Sequence, residues 1–151
     1  MSTLYYTLSN TVFRNFLFYG VASVLKMMLM SLLTSRQRFR KKAFANPEDI
    51  KPGKEKKIQP TTSDPDVERV RRNHLNDIEN IIPFVLIGFC YIACNPDPNI
   101  ALWHFRVFFF SRLFHTFAYQ IPLPQPSRAL GFIIGLVATV SMAIQILLQV
   151  Y

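Results

Sequence analysis

Four apolar runs limit what this 151-residue chain can fold into. They cover roughly 12–34, 76–94, 100–121 and 128–150. The hydrocarbon core of a bilayer is about 30 Å thick and takes a helix of ~20 mostly apolar residues, a length that each run approaches or exceeds. In lipid every backbone polar group must be satisfied within its own segment, so runs of this kind become helices. The expected fold class is an all-α integral membrane protein, with residues 1–151 forming a single domain, a bundle of four transmembrane helices. Half of the residues are hydrophobic (50%), gathered into runs rather than spread through a globular pattern. The opening "MSTLYYTLSNTVF" lacks a basic n-region and a small-residue cleavage site, so the first run is expected to stay as an anchor.

The connections between the runs are unequal. "NPDPN" (95–99) and "PLPQPS" (122–127) are short breakers that force tight returns. The stretch 36–75 is the only long connection, with "KPGKEKKIQPTTSDP" reading as flexible loop. It holds 12 of the 17 Lys and Arg residues and six of the nine Asp and Glu. Basic loops stay cytosolic, so this loop is expected in the cytosol with both termini in the lumen. The formal net charge is +8 and most of it sits beside the membrane, including the run "RQRFRKK". That points to membrane lipid headgroups or an anionic ligand, and away from nucleic acid. Cys90 and Cys94 stand in an apolar stretch with no His or carboxylate at ligand spacing. They read as small core residues, and no metal is expected.

The second run is entered through "RVRRNHLNDIEN" (69–80), an unusual density of ionisable groups against an apolar segment. A charge buried in lipid costs about 2.5–3.5 kcal/mol or more, so each one is a candidate functional residue. Snorkelling to the interface is the plain alternative. Arg72, Asn76 and Glu79 are spaced i, i+4, i+7 and share one helical face. Arg112, His115 and Tyr119 are spaced i, i+3, i+7 on the third run. Arg128 opens the fourth. The topology brings all of these to the cytosolic boundary. Snorkelling explains the common depth but not the shared faces. Lys26 lies mid-span, where snorkelling is a poor account and a pairing with Asp77 or Glu79 is expected. Arg106 is expected to reach the lumenal side or an interhelical partner. The converging groups offer cationic donors, a carboxylate, an amide, a phenol and an imidazole. They suit a small zwitterion with excess negative charge, held beside apolar surfaces open to lipid.

The stretches "KMMLMSLLT", "RKKAFANPED", "DPDVERVRRNHLNDIENIIPF", "FRVFFFSRLFHTFAY" and "PLPQPSRAL" together cover most of residues 26–132. On these residues the chain resembles the family of membrane-associated proteins in eicosanoid and glutathione metabolism. It is most similar to the microsomal glutathione transferase branch and next to the prostaglandin E synthase branch. The resemblance implies four-helix subunits in a homotrimer, with glutathione as co-substrate bound between neighbours on the cytosolic side. The positions matching the family's glutathione site are Arg38, Arg72, Asn76, Glu79, His115, Tyr119 and Arg128; Arg38 comes from the resemblance alone. Asp49 is shared with the synthase branch and is carried as a catalytic candidate. Leu75 and Ala129 stand where that branch has arginine and serine, which favours the transferase branch. The 36–75 loop has no cysteine, so activation by thiol modification there is not available.

The chemistry then follows from the fourth run. Glutathione reacts as a thiolate, and a free cysteine thiol has a pKa of about 8.5. Arg128 at a helix N-terminus supplies a fixed charge and free N–H groups, an anion site for that thiolate, with Tyr119 as a second donor. The expected activity is conjugation of glutathione to lipophilic electrophiles, with glutathione-dependent reduction of lipid hydroperoxides. The alternatives are a prostaglandin E synthase-like isomerase and a non-enzymatic membrane scaffold or lipid-binding module. The expected location is the endoplasmic reticulum membrane, with the mitochondrial outer membrane as a further one.

Overall fold

The computed structural model describes residues 5–50 and 59–151, so the whole "KPGKEKK" segment lies outside the described residues. Four helices follow one another: Thr11–Lys41 (α1), Pro65–Ala93 (α2), Pro98–Gln120 (α3) and Ser127–Val150 (α4), with a 3-10 turn at Pro47–Asp49. The start signals are local. Asn10 caps α1 by accepting from the amides of Val12 (2.9 Å) and Phe13 (3.2 Å). Asp64–Pro65 and Asp97–Pro98 begin α2 and α3 in the same way: the aspartate accepts from two amides of the first turn, and proline occupies the first helical position.

These caps shorten the long connection. The helix α1 runs on through Arg36–Lys41, and α2 begins at Pro65, so residues expected to be loop at both ends of 36–75 are helical. The physical reasons are visible at each end. Arg38, Arg40 and Lys41 fill the last turn of α1, where cations favour the helix dipole, and Lys42 closes it at φ 53°. Asp66 and Glu68 fill the first turn of α2. Lys41 and Asp66 pair at 2.5 Å, which ties the end of one helix to the start of the next. At 31 and 29 residues, α1 and α2 are roughly 45 Å long, half as long again as a bilayer core.

Three helices, α1, α2 and α4, are long and apolar enough to cross a membrane. The third helix, α3, has the length, 23 residues, but carries His104, Arg106, Arg112 and His115 and is less apolar than the expected fourth span.

Packing places α1 on α2 and α3, and α4 on α3 and α2; among the described residues α1 and α4 do not touch. Phe16, Phe84, Tyr91, Phe105 and Phe108 form an aromatic core, with Phe84 and Phe108 stacked at 3.7 Å between centroids. Two glycines let α4 approach α3 closely. A Cβ on Gly131 would stand 3.0–3.2 Å from the Cβ, Cα and N of His115, and one on Gly135 would stand 2.7 Å from Ser111 Oγ. Small residues of this kind set helix separation in membranes. Cys90 is exposed and Cys94 half-buried, so neither is the core residue expected from its apolar context. The buried stripe of α2 runs through Ile81, Phe84, Gly88 and Tyr91, and Cys90 lies on the outward side with Leu86 and Phe89.

Candidate functional site

At the end of the bundle that carries the α3–α4 turn, ionised and polar side chains converge from all four helices. Arg112 is the hub. It is 1% exposed, and its Nη2 donates to Asn76 Oδ1 at 2.7 Å and to Asp77 Oδ1 at 2.7 Å. The same atom lies 3.2 Å from Nδ1 of His115. Asp77 is fully buried and also takes Lys26 of α1, so one carboxylate serves two cations from two helices. Breaking a buried pair by removing one partner costs about 3–5 kcal/mol, because the other charge is left uncompensated. Asp77 therefore ties α1, α2 and α3 together. Lys26 has the partner that its mid-span position called for. Arg106 likewise has an interhelical partner, donating from Nε to the Tyr19 hydroxyl at 3.1 Å.

The cluster extends along α3 to α4. The rings of His115 and Tyr119 lie 5.1 Å apart, and the Arg128 guanidinium sits 4.9 Å from the centre of the Tyr119 ring. A cation over an aromatic face is held by the ring quadrupole. Arg128 is the second residue of α4, so its charge adds to the free N–H groups of that helix's first turn. Its Nε is buried and has no hydrogen-bond partner among the described residues; the same holds for Nε and Nη1 of Arg112. Buried donors without acceptors are uncommon, and here they collect at one place.

Of the residues singled out in the sequence, Asn76, His115, Tyr119 and Arg128 are brought into one contiguous cluster through Arg112. Arg72 and Glu79 are exposed on α2, turned away from Asn76's inward contact. A groove of about 480 Å³ between α1 and α2 is lined by Ser31, Thr34, Arg71, Arg72 and His74; it takes Arg72 and leaves out the cluster. Arg38 donates to the carbonyl of Ala43 at 3.1 Å, closing its own helix end. Asp49 is exposed in the 3-10 turn, where it accepts from Asn46 Nδ2 at 3.3 Å. Neither meets the cluster. Arg112, which spacing placed on the converging face, is missing only from the positions that the resemblance implies; Asp77, expected at most as a partner of Lys26, is missing from both. The signal for both was present: a carboxylate one residue from Asn76, and an arginine on the His115 face. No group of three or more His, Cys, Asp or Glu suited to a metal ion occurs among the described residues.

A bundle with membrane-length apolar helices and a buried ionised cluster at one end defines the class of helical membrane proteins that carry a buried polar cluster. Comparison narrows the class. A model of the MAPEG family matches residues 16–148, and the chain belongs to that family. Microsomal glutathione S-transferase 1 of Homo sapiens is 48% identical over 149 residues, covering 97% of this chain and 96% of its own length. The Mus musculus protein of the same name is 47% identical over 151 residues with the same coverage. Prostaglandin E synthase of Bos taurus is 44% identical over 131 residues, covering 87% of this chain and 84% of its own.

Proposed function

We propose that this protein is a membrane glutathione transferase. The observation that carries the reading is the cluster Asn76–Arg112–His115–Tyr119–Arg128, cationic donors buried at the head of α4 with unpartnered N–H groups. Its chemistry suits an anionic peptide with a thiol. Relatives that cover nearly all of the chain and are named for glutathione transfer support the same reading.

In this mechanism Asn76, His115, Arg72 and Glu79 hold glutathione, and Arg128 holds its sulfur. A fixed cation nearby lowers a thiol pKa by about 1–3. The Arg128 guanidinium and the α4 N-terminus both favour the thiolate, and Tyr119 donates a hydrogen bond to it. The thiol proton leaves to solvent. The sulfur then attacks an electrophilic carbon of a substrate arriving through the bilayer; a C–S bond forms and the leaving group departs with the bonding pair. With a lipid hydroperoxide, the thiolate sulfur bonds to the terminal peroxide oxygen as the O–O bond breaks, leaving a sulfenic acid and an alkoxide that takes a proton to become the alcohol. A second glutathione thiol then attacks the sulfenic sulfur, forming the disulfide and releasing water.

The subunit is a four-span protein in this reading. Short turns on both sides of α3 oblige it to return across the bilayer despite its polar residues. The exposure of Arg72 and Glu79, and the distance of Arg38 and Asp49 from the cluster, favour a homotrimer in which a neighbouring subunit closes each site. The basic α1–α2 connection faces the cytosol, and the endoplasmic reticulum is the membrane. Isomerisation of a cyclic endoperoxide is the second reading; Leu75 and Ala129 weigh against it.

The purified protein should conjugate glutathione to an aryl halide at a rate that saturates with glutathione. Absence of any glutathione-dependent turnover, with no calorimetric binding of glutathione, would overturn the proposal.

A further inference from the structure

We infer that Arg112 is a positioning residue: it turns Asn76 and His115 so that both present hydrogen-bond donors to the ligand, and the pair reads an acceptor, a carboxylate or peptide carbonyl oxygen of glutathione. The inference rests on the glutathione reading and deepens it.

A guanidinium has five N–H donors and no acceptor, so whatever stands against it must accept. Against Nη2 stand Asn76 Oδ1 and Asp77 Oδ1, each at 2.7 Å, and His115 Nδ1 at 3.2 Å. Two hydrogens serve three acceptors, so one is shared. Reversing the Asn76 amide would set N–H against N–H. A proton on Nδ1 of His115 would do the same, whether the ring is neutral or charged. The orientation of both groups therefore follows from Arg112.

The consequences are chemical. With its oxygen held, Asn76 has its NH2 group left for the site. With Nδ1 accepting, a neutral His115 carries its proton on Nε2 and donates there. Such an imidazole has no free acceptor and does not take the proton of a thiol. His115 is thus a binding residue, and the counter-charge for the thiolate remains with Arg128. Arg112 can impose this because it is itself fixed: buried to 1% exposure, and paired with an Asp77 that Lys26 holds from α1. A mere staple between helices would need Lys26, Asp77 and Arg112, but neither Asn76 nor His115.

Two measurements on the full-length protein in detergent micelles test this. The first is NMR of protein labelled with ¹⁵N-histidine, with His115 assigned by its loss in His115→Gln. The expected state is the neutral Nε2–H tautomer, kept in Arg112→Lys and lost in Arg112→Met. A wild-type Nδ1–H tautomer, or a doubly protonated ring, would overturn the positioning role while leaving the glutathione reading intact. The second is glutathione affinity by calorimetry in an Asn76 series. Asn76→Ala removes the donor and should weaken binding about tenfold or more. Asn76→Asp keeps an oxygen for Arg112 but faces the ligand with acceptors only, and should be weaker still. Wild-type affinity in Asn76→Asp would overturn the inference. In Arg112→Met the KM for glutathione should rise more than kcat falls. Should that variant not fold, the wild-type tautomer and the Asn76 series still decide. A wild-type protein that binds no glutathione ends the functional reading itself.

Discussion

Arg128 joins two sources of positive charge in one residue, a guanidinium and the first turn of a helix, and the ring of Tyr119 holds it 4.9 Å away. If that charge lowers the thiol pKa by about two, from about 8.5, its loss withdraws about 2.7 kcal/mol from the thiolate and cuts its fraction at neutral pH by about 25-fold. Arg128→Ala should still bind glutathione, because other donors remain. The ultraviolet absorbance of bound thiolate should vanish at neutral pH together with most of the conjugation rate. Arg128→Lys should keep part of both, since the charge survives and the fork geometry does not. A wild-type thiolate signal in Arg128→Ala would move the activating role to Tyr119. At this scale helical spacing was informative but incomplete. It put Asn76 with Arg72 and Glu79, and His115 with Arg112 and Tyr119, on common faces. It did not tell which member of a face turns inward, because that depends on a partner from another helix. Asn76 turns in because Arg112 takes its oxygen, and Arg112 turns in because Asp77, one residue off the shared face, is buried there. Arg72 and Glu79 stay exposed on the same helix.

Helix α4 brings Arg128 to the cluster only because its next turn can lie against α3. Gly131 stands directly over His115, and a Cβ there would meet backbone atoms at 3.1 and 3.2 Å, which cannot swing aside as a side-chain tip can. Gly131→Ala should therefore push the two helices apart at the site. Overpacking of this kind costs about 1–3 kcal/mol. The expected result is a lower Tm and a glutathione Kd raised several-fold. Gly20→Ala is the control: its Cβ would meet the Phe16 ring at 3.7 Å, an ordinary contact, and alanine is the better helix former. It should leave Tm unchanged or slightly higher. A wild-type Tm and Kd in Gly131→Ala would show that this close approach does not position α4. The helices themselves were legible from apolar length, breakers and Asp-Pro starts. Their ends were not, where they leave the lipid. Hydropathy follows the bilayer, whereas α1 and α2 continue past it on caps and charge: Asp64, Asp66 and the Lys41–Asp66 pair. A polar segment beside a membrane therefore read as loop although its flanks are helix.

For the whole molecule, two features of the described residues stand apart from the cluster of their own chain: a polar face of α2 that points outward, and an arginine, Arg38, that closes its own helix end. Both acquire a use if copies assemble as a ring and each site is closed by a neighbour. Sidedness comes first. In sealed microsomes protease should cut within 51–57, the "KPGKEKK" segment, without detergent; full protection would reverse the orientation and the sidedness of the site. The assembly itself can be tested by mixing. Arg38→Ala and Arg128→Ala should each abolish most activity when expressed alone. In co-expressed mixtures the outcome depends on where the site lies. If one chain supplies the whole site, every chain in the mixture lacks one of the two arginines, and activity stays at the level of the single variants. If Arg38 comes from one subunit and Arg128 from the next, a site is intact whenever an Arg128→Ala chain supplies Arg38 to an Arg38→Ala chain. In a closed ring with heterologous contacts and equal random mixing, that is about a quarter of all sites. Recovery of roughly that fraction of wild-type turnover is the expected result. No recovery, with mixed trimers demonstrated by two affinity tags, would place the complete site within a single chain and leave Arg38 as the cap of its own helix.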